Sequence, residues 1–467
     1  MGFPSYLLVT TEDTLMPNAI DDVPRQAVKF ASFDGSTTIQ TKHCIPDRYR
    51  FWKQGPPFQP CISRGAGLSY AAASFSSSGE TIDHSSFNRI LDFDSSQGIL
   101  EVEGGTTLGQ IYKFATRHGM MLAVQPGHPK ITVGGCLAPD VHGKNQFRDG
   151  TFLSQVESVL LFHQSYGLIE LSRNTNPELF SLTCGGYGLT GCIISARLRL
   201  VKIPSPRIRF GLRTISNIFD LRGKLVEAAT HNELIYSWHN FLASGDRFGK
   251  GFLVTGNFLD TDSSSSVSVD EHEAGNLSAD SRARLPLALF NRFTTKLFNG
   301  AFERSMNMKP KEEVTSLYDF LFPIHDKEIY FYLFGRRGFH ECQIIVQTQH
   351  FDEFAHRIRE WLSRHPIPIT LASAKLFGGA RDLLRFSGAG VCLSLNFPRT
   401  KQSLTFCLFL DELTKNLGGW PNIIKDSRLS AKTVASAYPG YEVFRDRLRK
   451  FDPRRLYRSE LSERLAL

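Results

Sequence analysis

PGHPKITVGGCLAPDVHGKN, residues 126–145, crowds small residues and then polar ones into one short stretch. Gly134 and Gly135 remove side chains where a flat ring or a pyrophosphate needs close approach to the backbone. Thr132, Cys136 and Ala138 keep the neighbouring walls small. Asp140, His142, Lys144 and Asn145 then place four polar groups within six residues, a density that a plain solvated turn does not need.

A second glycine-rich stretch lies upstream, RGAGLSY at 64–70, entered from a strand predicted over Pro60–Ser63. Its glycines let backbone N–H groups converge on an anion, and Arg64 and Ser69 add charge-assisted and hydroxyl donors. It is not a dinucleotide fingerprint, because Tyr70 stands at the third glycine position. A literal GxGxxG occurs at 186–191, after a predicted helix Pro177–Cys184 and before a strand-like run. An NAD site needs strand, glycines, then helix, so this segment reads as a tight turn or backbone approach and the NAD reading is rejected. Short strands at Gly98–Glu103, Val156–Phe162 and Ile193–Val201, with a helix over Thr107–Gly119, make an α+β pattern rather than a doubly wound one.

At 467 residues two domains are expected. The texture changes after Pro204. A formal charge of +8 is scattered, with no run of five or six basic residues, which argues against a nucleic-acid partner. The eight cysteines form no CxxC pair and read as apolar fillers in a reducing compartment. No signal peptide is expected in MGFPSYLLVTTEDTL and no apolar run of ~20 residues exists to cross a bilayer, which predicts a cytoplasmic protein, soluble or peripheral at the inner membrane. The Ser-rich acidic stretch 262–281 is expected to be a mobile surface loop. After it, Leu289, Phe290, Phe293, Leu297 and Phe302 recur at helical spacing beside Arg284, Arg292, Lys296, Arg304, Lys309 and Lys311. This reads either as a core-facing helix or as a basic amphipathic segment, 284–311, touching membrane or a lipid tail.

RGAGLSY, EGGTTLG (103–109), PGHPKITVGG, DVHGKN and ELFSLTCGGYGLTG (178–191) are followed by AKLFG (374–378), VCLSLNFP (391–398), IKDSR (424–428) and KFDPRRLYRSE (450–460). In order and spacing the chain resembles the FAD-linked oxidases of the vanillyl-alcohol-oxidase type, over roughly residues 55–205 and 315–465. The resemblance implies an α+β fold: a two-subdomain PCMH-type FAD-binding domain (1–203), a mixed α/β substrate domain with an antiparallel sheet (204–425), and a C-terminal return (426–467). It implies FAD held by the first loop through Arg64, Gly65, Ala66, Gly67, Leu68, Ser69 and Tyr70. The second loop would contribute Pro126, Gly127, Thr132, Val133, Gly134, Gly135, Cys136, Ala138, His142 and Gly143, and the later turn Gly186, Gly188 and Ile193. Many relatives carry a flavin-linking histidine where this chain has Leu68, which implies noncovalent flavin.

The same resemblance makes Lys425 and His142 catalytic and places Lys144, Gln343, Lys375, Phe377 and Cys392 around the substrate. A lysine beside a flavin stabilises negative charge or binds the substrate oxygen, and basic groups receive the hydroxyl proton. Cys392 reads as a pocket wall, since hydride transfer needs no covalent intermediate. Tyr187, Asn422, Gly390 and Leu321 depart from the residues the family places there. The function implied is oxidation of a secondary hydroxyl on a polyprenyl-phosphate-linked pentose, with a separate NAD(P)H-dependent short-chain reductase completing an epimerisation. Oxidation of a soluble sugar, alditol or hydroxy acid, or a binding protein with a decayed pocket, are the alternatives left open.

Overall fold

A computed structural model describes residues 25–46, 59–259, 285–325 and 327–467. The expected loop 262–281 lies outside the described residues. Three sheets carry the chain. In the first, Arg25–Ala31 and Thr38–Cys44 form an antiparallel hairpin, extended in parallel by Glu80–Asp83 and then Cys61–Arg64. The second sheet is antiparallel and centred on Cys192–Lys202, flanked by Ile99–Glu103, Val156–His163 and Met120–Leu122. Along that strand Ala196, Leu198 and Leu200 turn inward while Arg197 and Arg199 face solvent, the two-residue period of a half-buried strand.

The third sheet has eight strands, all antiparallel, in the order Glu312–Ser316, Arg207–Ile215, Lys250–Phe258, Leu234–Asn240, Leu371–Phe377, Gly390–Pro398, Phe339–Val346, Trp420–Pro421. Its inner strands are covered on both faces, so Gly390–Pro398 and Phe339–Val346 are buried at every position. One face packs on the helices Phe351–Arg364 and Lys401–Asn416 through Phe354, Ile358, Phe406 and Leu410. The opposite face carries the residues of the candidate site.

The C-terminal segment lies against the first sheet. Tyr457 bridges to Cys61 in parallel, Cys61 N donates to Leu456 O, and Arg458 N donates to Cys61 O. The turn after the first strand is bound to the third sheet through Asp34. Its carboxylate, fully buried, accepts from Ser32 Oγ at 2.6 Å, Ser36 N at 2.9 Å, Arg399 Nη2 at 3.0 Å and Ser427 Oγ.

Of the segment 284–311, Arg284 lies outside the described residues, and the helix within the remainder buries only part of its apolar stripe. Asn291 caps the helix Arg292–Met308 through Oδ1, which accepts from the N–H groups of Phe293 and Thr294. Phe290 is buried, yet Leu289, Phe293 and Leu297 are exposed, while Thr295 and Asn299 are buried. Helical periodicity reveals an apolar stripe but not which side of the helix meets the protein.

Removing one partner of a buried ion pair leaves an unpaired charge, at a cost of about 3–5 kcal/mol. Asp34→Ala should therefore lower stability by about 3 kcal/mol in equilibrium urea unfolding followed by circular dichroism. A loss under about 1 kcal/mol, the range of an exposed pair, would show that Asp34 does not tie the domains together.

Candidate functional site

Strand alternation sorts side chains into two sets. On Gly390–Pro398, Val391, Leu393, Leu395 and Phe397 join the helix-covered core, and Cys392, Ser394 and Asn396 face the other way. On Phe339–Val346, Cys342, Ile344 and Val346 join that same core, leaving Glu341 and Gln343 beside Ser394 and Cys392. On Leu371–Phe377, Ala372 and Ala374 point to the helices while Lys375 and Phe377 share the opposite face. Register then brings Lys375 opposite Cys392, and Gln343 opposite Ser394. Three neighbouring strands thus deliver one polar cluster.

Both glycine-rich segments meet this face. Thr132 caps the short helix Val133–Leu137, its Oγ1 accepting from Gly135 N at 3.1 Å. A Cβ on Gly65 would collide with that same Thr132 oxygen, so the two loops touch only because residue 65 has no side chain. Gly67 has φ +66°, a left-handed conformation that favours glycine. Gly134 N donates to Gly104 O at 2.7 Å, and a Cβ on Gly104 would meet Ile193 O. Arg64 is buried beneath this loop: its guanidinium lies 4.4 Å from the Phe30 ring and Nη1 donates to Ser74 Oγ at 3.1 Å. It braces the loop from below.

His142 links the loop to the sheet. Nδ1 lies 3.5 Å from Lys375 Nζ, Nε2 lies 3.5 Å from Gln343 Oε1, and the ring sits edge-on to Phe377 at 4.8 Å. Burial, then the Lys375 amine, pushes the imidazole well below the usual histidine range. Burial also lowers the Lys375 amine, and the lowered imidazole favours its neutral, proton-accepting form. Gln343 is held by donation to Ser394 Oγ at 2.8 Å and by Asn422, whose Nδ2 donates to Gln343 Oε1. Lys425 approaches from the opposite wall, Nζ 3.5 Å from Glu341 Oε1 and 3.7 Å from the centre of the Tyr70 ring. Cys392 is fully buried and burial pushes its thiol up to about 12, which suits a wall and not a nucleophile.

Not every residue of the motif faces the site. Asp140 accepts from Thr151 Oγ1 and Leu153 N and lies 3.6 Å from the Arg385 guanidinium. Burial raises its carboxyl to about 6. Asn145 donates to Ala123 O and Asp149. Both are braces, which corrects the reading of four clustered polar groups. Lys144 is buried with Nζ donating to Leu321 O at 2.6 Å, near the Tyr236 and Phe320 rings. Its amine is anchored by that carbonyl at the pocket's edge, and burial lowers its pKa strongly. The GxGxxG turn joins the helix Pro177–Thr183 to the strand Cys192–Lys202, with Tyr187 at φ +57° and its hydroxyl on Leu384 O. Gly186 would strike Leu182 O with a Cβ, while Gly188 at φ +79° lies near Ile62.

Glu341 and Ser394 escaped the sequence reading; their signal is strand phase, which is visible only once the register is known. The residues present fit a flavin. A Cβ on Gly65 would strike Thr132 and one on Gly67 the Arg64 guanidinium, so the loop is closely packed from below, and Ser69 Oγ is buried with no hydrogen-bond partner among the described residues. Such a hydroxyl suits the pyrophosphate of a dinucleotide cofactor.

Residues 59–169 match the family model of an FAD binding domain. The chain is 29% identical over 422 residues to decaprenylphosphoryl-beta-D-ribose oxidase of Mycolicibacterium smegmatis, covering 87% of this chain and 89% of that protein. Similarity to L-galactono-1,4-lactone dehydrogenase 2, mitochondrial, of Oryza sativa (28% identity; 30% of this chain, 23% of that one) and to L-gulonolactone oxidase of Bos taurus (25%; 24% and 26%) is confined to shorter stretches. The glycine-rich loops, the basic cluster and these similarities identify the chain as an FAD-dependent oxidoreductase with a PCMH-type FAD-binding domain.

Proposed function

We propose that this protein oxidises a secondary ring hydroxyl of a polyprenyl-phosphate-linked pentose to a ketone, with noncovalently held FAD. The observation that carries the reading is the convergence of Lys375 and Gln343 from one sheet face with His142 of the second glycine-rich segment and with Lys425 beside Glu341. Similarity to a ribose oxidase across nearly the whole chain supports the substrate class. Leu68, part-buried in an aromatic cluster, has no atom able to bond a flavin, which supports noncovalent attachment.

The bound flavin supplies a hydride acceptor. The protein's task is then the hydroxyl proton and the charge that develops as it leaves. His142, desolvated and neutral, accepts that proton, and the nearby Lys375 amine offers a second acceptor. Lys425, between Glu341 and the Tyr70 face, would bind the substrate oxygen and stabilise the negative charge that develops on it as its proton leaves. Gln343, fixed by Ser394 and Asn422, orients the imidazole. The keto sugar requires a reductase, for which a separate NAD(P)H-dependent short-chain enzyme is the expected partner.

An anaerobic bleaching screen tests the substrate: polyprenyl-phosphoryl pentoses should bleach the 450 nm flavin band, with soluble sugars, alditols and hydroxy acids inert. Bleaching by soluble sugars alone would overturn the lipid-linked reading. In the same assay Lys425→Ala should slow flavin reduction by roughly 10²–10³-fold with flavin content unchanged; near-normal reduction would remove it from the machinery. Acid precipitation should release all of the FAD into the supernatant, and yellow colour in the pellet would contradict noncovalent binding. Gly65→Ala, by driving a methyl group against Thr132, should purify with much less flavin, read as the ratio of absorbance at 450 and 280 nm. Full flavin occupancy would place the cofactor elsewhere.

A further inference from the structure

The helix Arg292–Met308 is held to the protein by a polar stripe together with Phe302 and Met306, which pack on the main core. Thr295, Asn299 and Glu303 recur every four residues along one stripe. Asn299 Nδ2 donates to Asn240 Oδ1 at 3.3 Å and Ile369 O at 3.4 Å, and Glu303 takes Lys250 and Asn240. Its outward side is greasy: Phe293 is 71% exposed, Leu297 59% and Met308 80%, and the preceding turn adds Leu287 at 74%. Ile329, from a neighbouring short helix, is 67% exposed. Large apolar side chains placed together in water mark an interaction site.

Charge identifies what covers it. The helix carries Arg292, Lys296 and Arg304, all exposed, against a single acid, Glu303, which is already paired with Lys250. Lys309 and Lys311 follow directly and are exposed as well. An apolar face edged by cations matches an anionic lipid surface, where acyl chains receive the hydrocarbon and headgroups the ammonium and guanidinium groups. Interior packing also links the base of this face to the candidate site. Phe290 packs on Phe334 at 4.7 Å, Phe334 on Phe339 at 4.9 Å, and Phe339 on Tyr70 at 5.4 Å, beneath Lys425.

We propose that the outward face of Arg292–Met308 with its preceding turn is a docking surface for anionic bilayers, placing the candidate site next to the membrane. The inference stands on the face itself and holds whichever sugar is oxidised. The test is sedimentation of the flavin-loaded protein with phosphatidylcholine vesicles, with and without phosphatidylglycerol. Binding should be roughly tenfold tighter to the anionic vesicles and should weaken with salt. Phe293→Ser with Leu297→Ser, and separately Lys296→Glu with Arg304→Glu, should each weaken it by roughly tenfold or more while flavin content and melting temperature hold. Should the serine pair fail to fold, the fully solvent-facing charge reversals decide alone. Absence of vesicle binding, equal affinity for both vesicle types, or unchanged binding by the folded variants would overturn the proposal. So would a concentration-dependent dimer in sedimentation velocity that the serine pair abolishes, because a second copy would then cover the face.

Discussion

A carboxylate in a dry interior is tolerable only when its lone pairs are filled by donors, and the Asp34 carboxylate draws those donors from three distant parts of the chain. Ser32 and Ser36 close its own turn, Arg399 comes from the end of an inner strand of the eight-stranded sheet, and Ser427 stands two residues beyond Lys425. None of these segments can shift without leaving buried charge unsatisfied. A second anchor acts from the other side, where Arg428 donates to Asp426 at 2.7 Å and to Asp411 at 2.6 Å. Between the two anchors Lys425 has little choice of position. Its immediate neighbour Asp426 is turned away from it toward Arg428, so the carboxylate next in sequence is not the one that faces its amine.

That facing carboxylate is Glu341, set against Lys425 in a region that also holds Lys375, Lys144 and His142. Crowding amines away from water favours their neutral forms, and burial acts in that direction on Lys375, Lys144 and His142. His142 and Lys375 lie against Phe377 and Cys392. Lys425 lies beside Glu341 and the Tyr70 ring. The division follows from alternation along three adjacent strands, which sends apolar side chains to the helices and polar ones to the cofactor side.

Much of this could be read from the linear sequence, for identifiable reasons. Glycine has no substitute where packing is this close, and Gly65, Gly67 and Gly134 marked closely packed loops before any strand was placed. The helix–glycine–strand order at 186–191 excluded a dinucleotide fingerprint, and that order is the one observed. Lys425 was visible only through the resemblance, since a lysine beside an aspartate looks like any surface pair. Asp34, Glu341 and Ser394 were not legible at all. Each acts through partners tens to hundreds of residues away, and nothing local marks an ordinary Asp or Ser for such a role. The helix Arg292–Met308 was legible as a helix and illegible in its orientation, because period measures spacing and says nothing about which side is anchored.

The pairing of Tyr457 with Cys61 bears on how the molecule comes into being. Cys61 and Ile62 begin the strand that feeds the first glycine loop, and the backbone of Cys61 is completed only by Leu456 and Arg458. Those residues leave the ribosome on the order of tens of seconds after Cys61 does. Throughout that interval the nascent flavin-binding half exposes an unpaired strand edge and an open apolar seam beside Cys44, Ile82 and Cys192. Closure of the strand that leads into the first glycine loop therefore waits until the C-terminal segment has been made.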